Sequence, residues 1–149
     1  RGGGKMIVKR LTMALAALAL LAIVPQKNLS ANPDAGALAA LMQVVDRWQP
    51  VLDGGFAVLA TATDAGVATR ALETLYGYGL AIHGEAAALR RAWPQLRRIY
   101  ALPGLVPFFT RIAPSVGRYT AILGEVQKRF AGQQAVQAAL GRVRGLAGR

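Results

Sequence analysis

The sequence predicts an all-α protein, a small helical domain of four to six helices following an amino-terminal hydrophobic helix of the signal type. Three observations lead there. Hydrophobic residues make up 54% of the chain but aromatics only 7%, so the core is built from Ala, Leu and Val, a composition that favours helices over sheets. Apolar residues recur three and four apart through most of the chain. Capping residues and Pro/Gly breakers punctuate that periodicity at helix-length intervals.

Residues 1–31 read as an export signal. Lys5, Lys9 and Arg10 precede an uncharged run of 14 residues, Leu11 to Val24, and Pro25 opens a polar tail ending in Leu29-Ser30-Ala31. The basic head favours the cytoplasmic side. At about 1.5 Å per residue the run reaches roughly 21 Å, short of a bilayer core of about 30 Å. It suits a signal core better than a permanent span, with cleavage expected after Ala31. A retained anchor and a buried helix are the competing readings. Residues 1–5 read as upstream message translated in frame, with Met6 as the start. Absence of Cys excludes a lipidated amino terminus, disulfides and Cys-based metal sites.

Residues 32–149 form one domain, about 118 residues and long enough for a single core. Asn32-Pro33-Asp34 is a helix start. Leu38, Leu41, Val45, Trp48 and Leu52 follow at helical spacing, giving a helix to about Gln49, with Pro50 as a kink and Asp53-Gly54-Gly55 as a stop or hinge. Phe56 to Thr63 suits a short buried helix. Asp64-Ala65-Gly66 punctuates before a helix from Val67 to His83, in which Tyr76-Gly77-Tyr78-Gly79 permits close packing rather than forming a phosphate loop. Glu85 to about Ala101 is an amphipathic stretch. Pro103, Pro107 and Pro114 bracket a stiff connector. Ser115 is the expected cap of the last long helix, which Ala131-Gly132 interrupts.

Charge is unevenly placed. Residues 32–89 carry net −4 and residues 90–149 carry +10, within a total of +11. Such asymmetry points to an anionic partner, whether a membrane surface, an acidic protein or polymer, or nucleic acid, the last disfavoured because no binding motif accompanies the basic face. The bland explanation is codon bias, since twelve of the thirteen basic residues after Ala31 are Arg.

One segment concentrates these features. In Leu89 to Tyr100, at about 100° per residue, Leu89, Trp93, Leu96 and Tyr100 share an arc that Ala92 and Ile99 extend. Arg90 and Arg97 flank it, and Arg91 and Arg98 lie opposite. Arg90, Arg91, Trp93, Arg97, Arg98 and Tyr100 are therefore the candidate anionic-surface residues: guanidinium groups grip phosphate and aromatic rings tolerate headgroups. The simpler alternative turns the apolar arc inward and leaves the arginines in water. Against the interfacial reading, Pro94 in mid-helix costs about 3 kcal/mol unless a new helix starts there.

Catalysis is argued down by inventory. His83 is the one histidine, and its place beside Gly84 suits capping of a helix end. Ser30 and Ser115 are the only serines, and the acids Asp46, Asp53, Asp64, Glu73 and Glu85 are those any helical surface carries. No metal site or cofactor is expected. The reading is thus a small exported cell-envelope protein that binds and does not catalyse. Its rivals are a membrane-anchored accessory subunit of an envelope assembly, a cytoplasmic nucleic-acid binder if Leu11 to Val24 is no signal, and a GC-rich reading frame without function.

Overall fold

A computed structural model of the chain describes residues 33–101 and 103–148; the expected signal segment lies outside the described residues. Among the described residues there are four α-helices and no strand, as the composition predicts. They are α1 (Pro33–Thr61), α2 (Ala65–Ala92), α3 (Val106–Arg129) and α4 (Gln134–Gly145). Short 3-10 helices at Pro94–Ala101 and Pro103–Leu105 join α2 to α3, and Leu146–Gly148 follows α4.

Two turns lie where the sequence places them. Asp64 caps α2, its Oδ1 accepting the Val67 N–H at 3.0 Å. After Arg129 the chain turns through Ala131-Gly132 into α4. Three expected breaks are absent. Pro50, Asp53-Gly54-Gly55 and His83-Gly84 all lie inside continuous helices. Gly55 has a packing reason: a Cβ there would sit 2.7 Å from Leu75 Cδ2. The glycine lets α1 and α2 close on each other, which outweighs its cost of about 1 kcal/mol in a helix interior. Continuity through Gly84 also places His83 in mid-helix, so it does not cap a helix end.

Ser115 requires a further correction. It is buried within α3 and accepts a hydrogen bond from Gln49 Nε2 at 2.6 Å. The helix starts earlier, where Pro107 supplies the preset φ of a first turn and has no N–H to leave unpaired.

Pairs of contacts give the topology. α1 and α2 are antiparallel, with Trp48 against Tyr78 and both Arg47 and Trp48 donating to Glu85. α1 and α3 run in the same direction. Asp46 meets Arg111, Gln49 meets Ser115, Asp53 meets Arg118, and Arg129 donates to the carbonyls of Ala60 and Ala62. α2 and α4 are parallel too, since Glu73 pairs with Arg142 and Leu146 packs where Gly79 leaves room. The protein is therefore two helical hairpins laid side by side, with the segment between Ala92 and Val106 crossing from one to the other.

The core fills the space between the hairpins. Leu41, Leu59, Leu72, Ile82, Phe108, Leu123 and Leu140 are essentially inaccessible to solvent. Burial of each such side chain contributes roughly 1.5–3 kcal/mol. At the centre of the α1–α3 seam, Phe56 and Tyr119 stack with centroids 4.1 Å apart and planes 5° apart. The Tyr119 hydroxyl donates to Asp53 Oδ1, the same oxygen that Arg118 reaches at 2.7 Å.

Burial, then the hydrogen bond to Asp53 and its negative charge, push the Tyr119 phenol above its ordinary pKa of 10.0. Because the folded state holds this proton more tightly, the contribution is complete below pH 10 and is lost as pH rises from there toward the raised folded value. Stability should fall by about 1.4 kcal/mol per pH unit in that window through this one group. Urea midpoints measured from pH 9 upward should show this slope in the parent and lack it in Tyr119→Phe.

Candidate anionic-surface site

The site is built where α2 stops. Arg90 and Arg91 lie in its last turn, where cations favour the negative end of the helix dipole. Trp93 ends the helix because Pro94 follows, and the residue before a proline is driven out of the helical region. Trp93 has φ −129° and ψ 79°, with its N–H still bonded to the Leu89 carbonyl. The chain restarts as a 3-10 helix at Pro94, and Arg98, at φ −117° and ψ 42°, interrupts that helix in turn.

The arc drawn for a continuous helix survives this break in part. Leu89, Trp93 and Leu96 point into the core. Ala92 does not extend the arc, being exposed beside Arg91. Trp93 is 7% exposed and its indole Nε1 is enclosed without a hydrogen-bond partner. It anchors the crossing to the bundle and does not face outward. The side chains of Ile99 and Tyr100 lie outside the described residues. Arg91, Arg97 and Arg98 are exposed, whereas Arg90 is half-buried with its Nε enclosed.

Ion pairing separates these four arginines from Arg47, Arg111, Arg118 and Arg142, although among the described residues Arg70, Lys128, Arg129 and Arg144 have no acid partner either. Asp46 pairs with Arg111 at 2.7 Å, Asp53 with Arg118 at 2.7 Å, Glu73 with Arg142 at 3.6 Å and Glu85 with Arg47 at 3.3 Å. Three of these pairs join an acid of the first hairpin to an arginine of the second. The acidic and basic halves of the sequence thus meet and neutralise each other along the seams. Among the described residues, no acid pairs with Arg90, Arg91, Arg97 or Arg98, which stay together at the α2 end of the bundle. A charge tally along the sequence does not reveal that cancellation; the seven-residue step shared by Asp46/Asp53 and Arg111/Arg118 does hint at it.

Among the described residues, no three His, Asp or Glu side chains gather as a metal ion would need, and no helix is long and apolar enough to cross a membrane. A second surface feature is an open groove of about 440 Å³ between α1 and α2, bordered by Pro50, Val51, Gly54, Val58, Thr74 and Tyr78.

No protein family, curated protein or solved structure matches this chain.

Proposed function

We propose that the protein acts by binding, and that Arg90, Arg91, Arg97 and Arg98 dock it on an anionic membrane surface of the cell envelope after export. The observation that supports this is the unequal pairing of charges. Asp46, Asp53, Glu73 and Glu85 are matched by Arg111, Arg118, Arg142 and Arg47, while among the described residues Arg90, Arg91, Arg97 and Arg98 have no acid and are the unpaired cations that fall four within nine residues. An isolated cationic cluster at one end of a rigid bundle suits a plane of phosphates, each guanidinium offering two parallel N–H donors to one headgroup. Export itself rests on the reading of Leu11 to Val24.

Co-sedimentation with vesicles tests the proposal. The parent should bind vesicles rich in anionic lipid, ignore neutral ones, and release as salt is raised. Near an anionic surface each arginine contributes about 1 kcal/mol, so replacing all four with Gln should weaken binding by at least about 30-fold after screening. A quadruple variant that binds like the parent would sink the proposal.

A further inference from the structure

Ala101 to Phe109 reads Ala-Leu-Pro-Gly-Leu-Val-Pro-Phe-Phe, a stretch without a charge or a hydroxyl, flanked by Arg97-Arg98 and Arg111. So apolar a segment belongs in a core, and part of it is there: Leu105 and Phe108 are fully buried. Val106 and Pro107 are not. Val106 is 58% exposed, the most open large hydrophobic side chain among the described residues, and Pro107 beside it is exposed too.

One exposed valine is ordinary on a protein surface; its position is what matters here. The 3-10 helix Pro103–Leu105 lies against the 3-10 helix Pro94–Ala101, which carries Arg97 and Arg98 and in turn lies against α2. Val106 follows directly. It therefore stands at the same end of the bundle as Arg90, Arg91, Arg97 and Arg98. Val58, nearly as open at 52%, borders the groove with Ala71, roughly 28 Å along α2 from Arg90. The backbone at Val106 is also stiff. Pro103 and Pro107 fix φ on either side of it, and the buried Leu105 just before it pins the tip to the core.

We infer that Val106, with Pro107 beside it, is the part of the protein that enters the bilayer, below the phosphates held by the four arginines. This rests on the arginine docking proposed above and adds a direction and a depth to it. Charge alone holds a protein at the level of the headgroups. An apolar side chain set among those charges gains further free energy by leaving water for the acyl boundary, and the two contributions combine. The bundle stands with the crossing between hairpins toward lipid and the turns after Thr61 and Arg129 away from it. Trp93 stays in the core.

Co-sedimentation of the full chain with anionic vesicles tests this. Val106→Ser should weaken binding about fivefold, the loss expected when a half-exposed valine no longer leaves water. The factor should be the same at low and high salt, because apolar transfer is not screened as charge is. Val58→Ser should bind like the parent. Both positions are exposed, so both variants should unfold near the parental urea concentration. Val106→Trp in a Trp48→Phe background reports depth directly. Its emission should move to shorter wavelength on anionic vesicles and be quenched by lipids brominated high in the acyl chain, while Trp93 supplies a constant background. Insertion is overturned, with the arginine docking left standing, if Val106→Ser binds like the parent, if Val58→Ser weakens binding equally, or if the emission of Val106→Trp is unmoved on vesicles that carry bound protein. A parent that ignores anionic vesicles, or binds them equally without its four arginines, overturns the docking and the insertion together.

Discussion

Replacing Tyr119 with alanine should lower the unfolding free energy by about 4 kcal/mol, a large share of the 5–15 kcal/mol that holds a domain of this size. Two losses combine. The ring is 1% exposed and stacked on Phe56, so truncation opens a cavity at the centre of the α1–α3 seam. The hydroxyl that donates to Asp53 also disappears, leaving that carboxylate to Arg118 alone. Tyr119→Phe separates the two. It keeps the stack and removes only a hydrogen bond to a charged acceptor, so it should cost about 1.5 kcal/mol. Paired with Asp53→Ala in a double-mutant cycle, it should show a coupling of about 1–2 kcal/mol. Urea denaturation provides all three numbers. If Tyr119→Ala unfolds at the parental urea concentration, the seam is not where the stability resides.

Trp93→Ala should be the next most damaging change, at about 3–4 kcal/mol. The indole packs in the core at the point where the chain leaves α2, and its removal loosens the crossing between hairpins. Trp93→Phe should cost little, about 1 kcal/mol or less. Volume is lost, but an enclosed N–H without a partner goes with it, and that relief partly offsets the loss. The same residue distinguishes core from interface by fluorescence. With Trp48 changed to Phe, Trp93 is the only tryptophan, and its emission should not shift when anionic vesicles are added. A shift would place the indole at the lipid and contradict its burial.

Legibility in the sequence followed the range of the forces involved. Local signals marked Asp64-Ala65-Gly66 and Ala131-Gly132 as breaks between helices, because a side-chain oxygen or a missing Cβ acts within one helical turn. Pro50, Gly54-Gly55 and His83-Gly84 misled for the opposite reason. Each weakens a helix locally, yet α1 and α2 run on through them; at Gly55 the close approach of Leu75 gives the glycine a packing role. Ser115 reads as a cap until its partner, Gln49, is known, and that partner lies 66 residues away. At the candidate site the arginines were visible as a cluster, and Pro94 was visible as a penalty on any helix continuous through it. The inward turn of Leu89, Trp93 and Leu96 is the simpler of the two readings their shared arc offered, whereas the exposure of Ala92 depended on which side of α2 the other helices cover. The pairing of Asp46 and Asp53 with arginines of α3 depended on two helices lying parallel, which spacing within one helix does not specify.

That parallel seam has a kinetic consequence. Its polar ties join residues 65 to 69 positions apart in the chain, so none can form while a ribosome has made only the first hairpin. At about 5–20 residues per second, α1 waits several seconds for its mate. During that interval Phe56, Leu41 and Leu59 face water with only α2 to shelter them. The rate-limiting event in folding should be the docking of one hairpin on the other, a high-contact-order step. Substitutions along the seam should then slow refolding, whereas those within either hairpin should mainly hasten unfolding.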